Sequence, residues 1–407
     1  MFIKEEEAPG LISEYGTPVY VYSEEILRSR CREIADVFCG RIVPSFSIKA
    51  NSNIHLLKII KEEGITADAM SPGEIFLLEK AGFSGDDIFY IGNNVSTNEL
   101  RYCVDRGILV SVDSVSQLER LGSINRGGRA AIRFNPGIGA GHCDKVVTAG
   151  DKTKFGVDPA FCCEVKEILA KYDMKLVGIN QHIGSLFLEP DAYVRAAKSL
   201  LAMIEQNFPG LEFIDFGGGF GVPYSPGEKR LDLEKLRGEL FPILDDFIER
   251  YDNKFVHFKC EPGRYICAEC GLLLGTVNAL KENHGEGYIG TDIGFNVLMR
   301  PVLYGSRHEM RIIKNIEDPG APAPFSKETA VVVGNICESG DILSEDAALG
   351  QVREGDMIVV ENAGAYGYSM ASNYNCRLRP AEVLITASGE TKLIRAADTF
   401  ESLVQNF

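Results

Sequence analysis

Short apolar segments recur along the chain at nearly constant intervals, and this spacing limits the possible fold more than any other feature. Five of them begin at residues 45, 66, 88, 109 and 130, so that consecutive starts lie 21 or 22 residues apart. This interval is close to the minimum that a strand, a loop and a short helix can occupy. Three more segments of the same kind begin at residues 176, 213 and 257. The spacing predicts eight strands that alternate with helices.

The stretches between these segments carry the apolar periodicity of about 3.6 residues that is typical of helices. Examples span residues 54–64, 72–82, 160–172 and 231–251. Eight alternating strands and helices predict an α/β fold, a (β/α)8 TIM barrel over residues 25–270. A doubly wound open sheet is the alternative. No G-x-G-x-x-G fingerprint follows the first strand, which disfavours the dinucleotide-binding form of that alternative.

The pattern changes after residue 271, where strand-like runs dominate and helical periodicity almost disappears. These runs span residues 272–280, 287–294, 330–337, 356–362 and 381–387, and a loop rich in Pro and Gly covers residues 317–326. We expect a compact antiparallel β domain over residues 271–407. The strand-like run at 18–23 precedes the first barrel helix, and we assign residues 1–24 to the same β domain.

The charge balance bears on the partners of the chain. Its 42 Lys and Arg residues stand against 58 Asp and Glu residues, which gives a net charge of −16. Such a chain repels phosphate backbones, so we expect no nucleic-acid partner. No apolar run approaches the roughly 20 residues that a membrane-spanning helix needs, and no secretory signal is visible at the N-terminus. We therefore expect a cytoplasmic protein without a membrane partner.

The cysteines do not suggest a disulfide framework. Eleven of them are scattered along the chain, an odd number that is typical of reduced thiols in a cytoplasm. Cys267 and Cys270 form a C-x-x-C motif, with Cys260 close by. No second pair with suitable spacing follows, so the sequence predicts no metal site.

A lysine stands at the end of the first predicted barrel strand, in the segment SIKANSN (47–53). Burial at such a position lowers the pKa of a lysine, and an amine of lowered pKa is suited to forming a Schiff base. A lone lysine at a strand end more often extends its amine into solvent. Lys49 must therefore be judged together with the residues at the other strand ends.

Two further motifs follow the last two barrel strands, DFGGGFG (215–221) and EPGR (261–264). Three adjacent glycines let backbone N–H groups approach an anion closely, and an arginine can bind phosphate through two hydrogen bonds. In barrels, the loops after strands seven and eight are the usual phosphate site. A glycine run alone would be only a flexible turn, but its pairing with EPGR favours a phosphate site.

Glu261 and His182 also stand at strand ends. A carboxylate that faces a pyridine nitrogen keeps that nitrogen protonated and makes the ring an electron sink. A histidine at a strand end can stack on such a ring. For His182 taken alone, a hydrogen-bonded core histidine is the commoner situation.

Taken together, these motifs resemble those of a known family. Lys49 in KANSN, His182 in HIGS, the GGGFG loop and EPGR occur in the order found in pyridoxal 5'-phosphate (PLP) dependent decarboxylases with an alanine-racemase-type barrel. The segments CESGD (337–341), RPVLYGSRHE (300–309) and GAYGYSMASNYNCRLRPAEVL (364–384) are similar to those of the diaminopimelate decarboxylase family. The resemblance covers nearly the whole chain. It implies fold type III, a barrel followed by a β domain, with PLP as the cofactor.

The resemblance also implies roles for individual residues. Lys49 would hold PLP covalently, His182 would stack on its ring, and Glu261 would pair with the ring nitrogen. Further cofactor contacts would come from Ser185, Gly217, Gly218, Gly219, Gly263, Arg264 and Tyr366. Cys337 would be the proton donor, contributed by the partner chain of a homodimer to a shared active site. The substrate would contact Arg264, Arg300, Tyr304, Glu338 and Tyr366.

The implied reaction is decarboxylation of meso-diaminopimelate to L-lysine and CO2, the last step of lysine biosynthesis. This amino-acid substrate carries a second carboxylate and ammonium at its far end, which suit Arg300 and Glu338 respectively. A substrate such as ornithine has no distal carboxylate for Arg300 to bind. The alternatives are a decarboxylase of the same fold acting on ornithine, lysine or a carrier-bound substrate, a racemase, and a PLP-binding protein without enzymatic activity. The last typically lacks a C-terminal β domain.

Some positions depart from the pattern of the family. Phe295, Asn296 and Val297 stand where the family commonly has MND. Leu186 replaces a glutamine that usually follows HIGS, and Arg307 stands where an aromatic residue is common. These positions are expected near the substrate pocket. They therefore concern the choice of substrate and leave the PLP chemistry unchanged.

Overall fold

The computed structural model describes residues 2–135, 137–139, 148–150, 153–315 and 325–407. Most of the Pro- and Gly-rich loop predicted over 317–326 lies outside the described residues. The chain divides into two compact units. The barrel unit comprises Arg28–Val222 and Lys229–Ile266, and the sheet unit comprises Met1–Leu27, Pro223–Glu228 and Cys267–Phe407.

Eight parallel strands form a closed barrel. Numbered after strand β1 (Val19–Ser23) of the sheet unit, they are β2 (Ile42–Ser47), β3 (Thr66–Ala69), β4 (Ile88–Tyr90), β5 (Leu109–Val112), β6 (Arg129–Arg133), β7 (Lys175–Asn180), β8 (Phe213–Gly218) and β9 (His257–Glu261). Strand β9 pairs with β2, with Phe258 opposite Ile42, and this pairing closes the barrel. Each predicted strand segment overlaps one of these strands. The TIM-barrel prediction is therefore confirmed, and the open sheet is excluded.

Among the helices of the described residues, one follows each barrel strand in the predicted alternation. The helices are α1 (Ala8–Tyr15), α2 (Glu24–Val37), α3 (Ile54–Glu62), α4 (Pro72–Ala81), α5 (Thr97–Val104), α6 (Val115–Ile124), α7 (Cys162–Lys171), α8 (Asp191–Asn207), α9 (Leu233–Arg250), α10 (Gly263–Cys267), α11 (Arg300–Tyr304) and α12 (Phe400–Val404). Within the described ranges, none of the helices combines the length and the apolar character that a membrane crossing requires.

Polar residues cap the helices that follow the barrel strands. Asn53, Ser71, Ser96, Ser114 and Asp232 accept hydrogen bonds from backbone N–H groups at the starts of α3, α4, α5, α6 and α9. Such caps satisfy N–H groups that have no partner within the helix. They also fix the turns at the carboxyl ends of the strands, the end of a barrel that carries catalytic groups.

The sheet unit is built mainly from a nine-stranded sheet. Its further strands are β10 (Gly271–Asn283), β11 (Glu286–Thr291), β12 (Met310–Ile313), β13 (Phe325–Ser326), β14 (Ala330–Val333), β15 (Ile342–Ala347), β16 (Gln351–Val352), β17 (Met357–Val360), β18 (Ala381–Ile385) and β19 (Thr391–Arg395). The main path runs β15-β14-β11-β10-β1-β18-β19, with β17 paired to β10 and β12, while β13 and β16 form a separate pair.

Two strand pairs of this unit are parallel, which the prediction of an antiparallel domain did not include. Strand β1 runs parallel to β18, and β11 runs parallel to β14. The other pairs are antiparallel. Parallel neighbours need a long connection, whereas a hairpin turn can join only antiparallel strands. Both parallel pairs join strands that are far apart in sequence, and periodicity within one strand carries no information about such partners.

Strand β1 is buried on both faces. Val19 and Val21 enter an apolar cluster with Leu272 and Leu274 of β10, and helix α1 adds Leu11 to it. On the opposite face the Tyr20 hydroxyl donates a hydrogen bond of 2.7 Å to the Val297 carbonyl oxygen, and the Tyr22 hydroxyl donates one of 2.7 Å to Glu382 Oε1. A strand with all of its residues buried has the environment of a central strand.

Candidate active site

Lys49 lies in a single turn of 3-10 helix, Ile48–Ala50, immediately after β2. The preceding residue, Ser47, donates a hydrogen bond of 2.6 Å to Asp68 Oδ2 on the neighbouring strand β3. On the other side, Gly263 packs so tightly that a Cβ atom there would lie 2.8 Å from Ser47 Cβ. The turn that carries Lys49 is therefore held between the ends of β3 and β9.

Three fully or almost fully buried carboxyl groups, Asp68, Asp215 and Glu261, belong to the strand ends around Lys49. Burial raises the pKa of Glu261 well above its usual range, and the charges of Asp215 and Asp68 raise it further, against the opposing effect of Lys49. Burial also raises the pKa of Asp215 to about 6. Glu261 is therefore a carboxyl group that can keep its proton near neutral pH.

His182 accepts a hydrogen bond at Nδ1 from the backbone N–H of Gly218, at 3.0 Å. The same nitrogen lies 3.8 Å from Glu261 Oε2. Burial lowers the pKa of His182 well below its usual range, and the charges of Lys49 and Arg133 lower it further. Because Nδ1 is an acceptor, the neutral ring carries its proton on Nε2. The contact with Glu261 is therefore not an ion pair.

The glycine loop after β8 packs directly against neighbouring backbone. Gly217 has a φ of 74°, in the left-handed region that favours glycine, and its N–H donates a hydrogen bond of 2.8 Å to Asp215 Oδ1. A Cβ atom at Gly217 would lie 2.2 Å from the carbonyl oxygen of Gln181, and one at Gly218 would lie 2.1 Å from that of Glu261. Any larger side chain at these two positions would displace the strand ends.

Arg264 and Ser185 supply donors close to this loop. Arg264 is buried in the short helix α10, and its Nη2 donates a hydrogen bond of 2.9 Å to Ser185 Oγ. A Cβ atom at Gly219 would lie 2.5 Å from the carbonyl oxygen of Gly184, so the glycine loop and the residue before Ser185 are in contact. A guanidinium, a hydroxyl and closely packed glycine backbone are suited to binding a phosphate group.

The barrel residues fit the groups of PLP. Lys49 offers an amine, His182 a neutral ring, and the glycine loop with Arg264 and Ser185 a phosphate site. Among the described residues, Glu261 Oε1 has no hydrogen-bond partner although it is buried. A buried carboxyl oxygen of this kind is expected to bind a ligand group, because an unsatisfied buried polar atom destabilises the fold. A ring nitrogen would satisfy it.

Sequence reasoning missed two cations inside the barrel unit, Arg133 at the end of β6 and Lys259 in β9. Burial lowers the pKa of both, against the attraction of nearby carboxylates. The Lys259 ammonium also lies 4.6 Å from the centre of the Phe213 ring. The sequence analysis also missed Asp215, whose carboxylate accepts the hydrogen bond from the Gly217 N–H. The available signal was a charged residue inside an otherwise apolar strand, as in AAIRF and HFKCE, or directly before the glycine run.

In the sheet unit, Arg300 is almost completely buried at the start of α11, with 1% of its surface exposed. Its Nη1 lies 2.7 Å from His308 Nε2, and its guanidinium lies 4.3 Å from the centre of the Tyr224 ring. Because arginine only donates, His308 Nε2 accepts, and the proton on Nδ1 is donated to the Glu361 carbonyl oxygen at 2.8 Å. Arg300 is therefore held in a fixed orientation.

The remaining predicted residues of the sheet unit lie on three segments. Cys337 and Glu338 are exposed on the loop between β14 and β15, and Tyr304 ends α11 half-buried. Tyr366 follows β17 in a turn with a φ of 56°. Among the departing positions, Asn296 and Val297 are buried, while Arg307 forms an exposed ion pair with Asp346 at 3.3 Å.

Among the described residues, no group of three or more His, Cys, Asp or Glu side chains is arranged to hold a metal ion. Both thiols of the C-x-x-C motif are buried, and Cys270 Sγ donates a hydrogen bond to the Cys267 carbonyl oxygen at 3.1 Å.

Comparison with known proteins agrees with this geometry. The family described as pyridoxal-dependent decarboxylase, pyridoxal binding domain, matches residues 24–268 of the chain. The solved structure of diaminopimelate decarboxylase from Helicobacter pylori in complex with L-lysine is 29% identical with a TM-score of 0.88, covering 98% of both chains. A lysine/ornithine decarboxylase from Vibrio vulnificus shares the fold, with a TM-score of 0.80 at 21% sequence identity. The match covers 95% of this chain and 98% of the Vibrio chain. The fold and site define a PLP-dependent decarboxylase of fold type III.

Two curated relatives place the chain more closely. Diaminopimelate decarboxylase from Methanothermobacter thermautotrophicus is 39% identical, covering 98% of this chain and 93% of the relative. The enzyme of the same name from Escherichia coli is 36% identical, covering 97% of this chain and 94% of the relative. The chain belongs to the diaminopimelate decarboxylase family. The resemblance seen in its sequence motifs is confirmed.

Proposed function

We propose that this protein decarboxylates meso-diaminopimelate to L-lysine and CO2 as the last step of lysine biosynthesis. The observation that carries this proposal is Arg300, a buried guanidinium oriented by His308 and Tyr224. A guanidinium held in this way can bind a planar carboxylate with two hydrogen bonds. Diaminopimelate has a distal carboxylate of this kind, whereas ornithine and lysine carry no carboxylate at their far end.

The barrel residues are assigned to the cofactor. Lys49 holds PLP covalently between turnovers, and the Gly217–Gly219 loop, Ser185, Gly263 and Arg264 bind its phosphate end, with Tyr366 adding a further contact. His182 covers one face of the ring. Glu261 would pair with the ring nitrogen, a role supported by the raised pKa of its carboxyl group. When bound, PLP supplies an electron sink that stabilises the carbanion left by the loss of CO2.

The substrate contacts are assigned to charged and phenolic side chains. Arg300 binds the distal carboxylate, a planar group that a guanidinium can hold with two hydrogen bonds. Glu338 binds the distal ammonium. Tyr304, Tyr366 and Arg264 complete the contacts. An enzyme that bound the distal end only through apolar contacts would discriminate far less between diaminopimelate and shorter amino acids.

Cys337 is assigned as the proton donor. When CO2 leaves with both carboxylate oxygens, the electron pair of the broken bond remains at the α-carbon. The Cys337 S–H transfers its proton to that carbon, and the thiolate then recovers a proton from solvent. Lys49 would supply the amine that holds the cofactor. A thiol can perform this transfer only if its loop holds it facing the carbon.

Product analysis tests the proposed function directly. The PLP-loaded protein is incubated separately with meso-diaminopimelate, ornithine and lysine, and the amines and CO2 are measured. We expect lysine and CO2 from diaminopimelate and no diamine from the other two substrates. Putrescine or cadaverine in place of lysine would contradict the role of Arg300, and the fold and cofactor would stand.

We also propose a homodimer in which each active site uses residues of both chains. Lys49 and Cys337 belong to different compact units of the chain, and a two-fold arrangement would let each chain complete the site of the other. Mixing inactive Lys49→Ala and Cys337→Ala proteins tests this. About a quarter of the wild-type activity is expected after subunit exchange, because half of the dimers are then mixed and each has one intact site. A mixture as inactive as its components would place both residues in a site of one chain.

A further inference from the structure

One short segment of the sheet unit contacts the loop of Cys337 and Glu338 at three separate points. Asn375 Oδ1 accepts a hydrogen bond of 2.8 Å from the Cys337 backbone N–H. The Tyr374 hydroxyl donates a hydrogen bond to Glu338 Oε1. Arg377 Nη2 donates one of 3.0 Å to the Asn335 carbonyl oxygen. The segment 374–377 therefore holds both the backbone of this loop and the Glu338 carboxylate.

The backbone of the segment is unusual. Asn375 and Cys376 have φ values of 54° and 55°, in the left-handed region. Asparagine adopts this conformation more readily than most residues, but two consecutive non-glycine residues in it are uncommon. Such conformations persist only where the surroundings fix them, and they are concentrated at functional sites. The conformation directs the Asn375 side chain to the Cys337 N–H.

The surroundings that fix the segment are visible on both sides. Before it, Asn373 Nδ2 donates a hydrogen bond of 2.8 Å to Asp398 Oδ2, and after it Arg379 binds the same carboxylate at 2.9 Å and 3.1 Å. Burial opposes the charge of Asp398, yet the bonds from Arg379 and Asn373 lower its pKa to about 2. The carboxylate is therefore ionised at neutral pH and anchors both ends.

Phe295 fixes the direction of Tyr374. The two rings are stacked, with centres 5.6 Å apart and planes 21° apart. Phe295 is itself anchored through its backbone N–H, which donates a hydrogen bond of 2.7 Å to Asp341 Oδ1. The other oxygen, Asp341 Oδ2, accepts a hydrogen bond of 2.7 Å from the Ile336 N–H. One buried carboxylate thus ties Phe295 to the loop of Cys337. Phe295 is also one of the positions at which this chain departs from its family.

We propose that segment 374–377 positions Cys337 and Glu338 for the substrate, and that the Phe295–Tyr374 stack makes Tyr374 a specificity-determining residue for the distal ammonium. This inference rests on the proposed function. Tyr374 is a positioning residue, because it acts on the substrate through Glu338. Without its hydroxyl, Glu338 would be an exposed side chain free to rotate away from the ammonium, and its orientation would have to be fixed again at each binding event.

The discriminating experiment compares meso-diaminopimelate with 2-aminopimelate, which lacks only the distal amino group. Tyr374→Phe keeps the ring stack and removes the hydroxyl. We expect its preference for diaminopimelate, measured as the ratio of kcat/KM values, to fall about fivefold, mainly through KM. The kcat/KM for 2-aminopimelate should be nearly unchanged. Phe295→Leu keeps the hydroxyl, removes the stack and should shift the ratio in the same direction.

Tyr102→Phe is the matched control, because Tyr102 lies on α5 of the barrel unit beneath Arg106. It should leave both substrates unaffected. Equal losses on both substrates in Tyr374→Phe would indicate a purely structural role, and an unchanged ratio would indicate no role, so either result overturns the inference. If the wild-type enzyme does not decarboxylate diaminopimelate, the proposed function itself fails, which is a separate result.

A second measurement needs no turnover. Asn375→Gly preserves the left-handed backbone and removes the acceptor for the Cys337 N–H, whereas Asn375→Asp retains an acceptor. We expect the alkylation rate of Cys337, read by peptide mass spectrometry against exposed Cys39, to rise about threefold in Asn375→Gly and to return toward wild type in Asn375→Asp. Asn94→Gly, at another exposed asparagine with a φ of 55°, is the control. An unchanged Cys337 rate in Asn375→Gly would contradict the positioning role.

Discussion

Replacing Lys49 with alanine is expected to lower the turnover of meso-diaminopimelate by about a thousandfold or more. In the proposed function this side chain is the covalent anchor for the cofactor, and alanine offers no amine. The substitution also removes a positive charge that lowers the pKa of Asp68 and of Glu261. Both carboxyl groups should then hold protons more strongly. Turnover is measured as lysine formed, and covalent cofactor as the added mass after borohydride reduction.

Lys58→Ala is the matched control for this substitution. Lys58 lies exposed on α3, the helix that follows the Lys49 turn, so the same side-chain truncation is made close by on the surface. We expect it to retain wild-type turnover and the full added mass. A Lys49→Ala enzyme with near-normal turnover, or one that still gains the cofactor mass on reduction, would contradict the assignment of Lys49.

The second large effect is expected from Glu261→Gln, which should lower kcat about a hundredfold while the cofactor remains bound. Glutamine matches glutamate in shape but cannot hold the proton that burial favours on the Glu261 carboxyl group. The ring nitrogen would then lose the partner that keeps it protonated, and the carbanion would be less stabilised. The measurement is kcat for diaminopimelate, together with the dissociation constant of PLP from fluorescence titration.

Measuring kcat and the dissociation constant of PLP separately distinguishes an effect on the chemical step from a loss of cofactor. A dissociation constant within a few-fold of wild type, combined with the loss in kcat, would place the effect in the chemical step. Glu212→Gln is the control, because Glu212 lies at the opposite, amino-terminal end of the strands, in exposed ion pairs with Lys175 and Arg129. It should leave kcat unchanged. Full activity in Glu261→Gln with bound cofactor would remove Glu261 from the mechanism.

The sequence allowed the barrel to be predicted because each strand and helix is encoded locally. A segment such as 66–71 is bounded by turn residues and followed by a capped helix, and the even spacing leaves few alternatives to a closed barrel. The residues at strand ends could be predicted for the same reason, since the carboxyl ends of parallel strands meet on one side. Lys49, His182, the glycine loop and Glu261 all follow from that rule.

The features that escaped prediction depend on contacts between distant segments. Nothing within AAIRF or HFKCE shows that Arg133 and Lys259 face the buried carboxyl groups of other strands. The parallel pairing of β1 with β18 is equally invisible to local periodicity. The hydrogen bonds of segment 374–377 to the Cys337 loop join residues about forty positions apart, through side chains common in surface turns.

The position of β1 has a consequence for how the chain folds during synthesis. This strand precedes all the barrel strands in sequence, yet its two neighbours in the sheet, β10 and β18, both follow the last barrel strand. Meanwhile the intervening residues can close into a barrel, whose strands pair with near neighbours in sequence. During synthesis β1 therefore has an unpaired backbone, open to pairing with other chains, until β10 has been made. The other edge of β1 can be paired only after residues 381–385 of β18 have been synthesised, so the sheet is completed after the barrel strands are available.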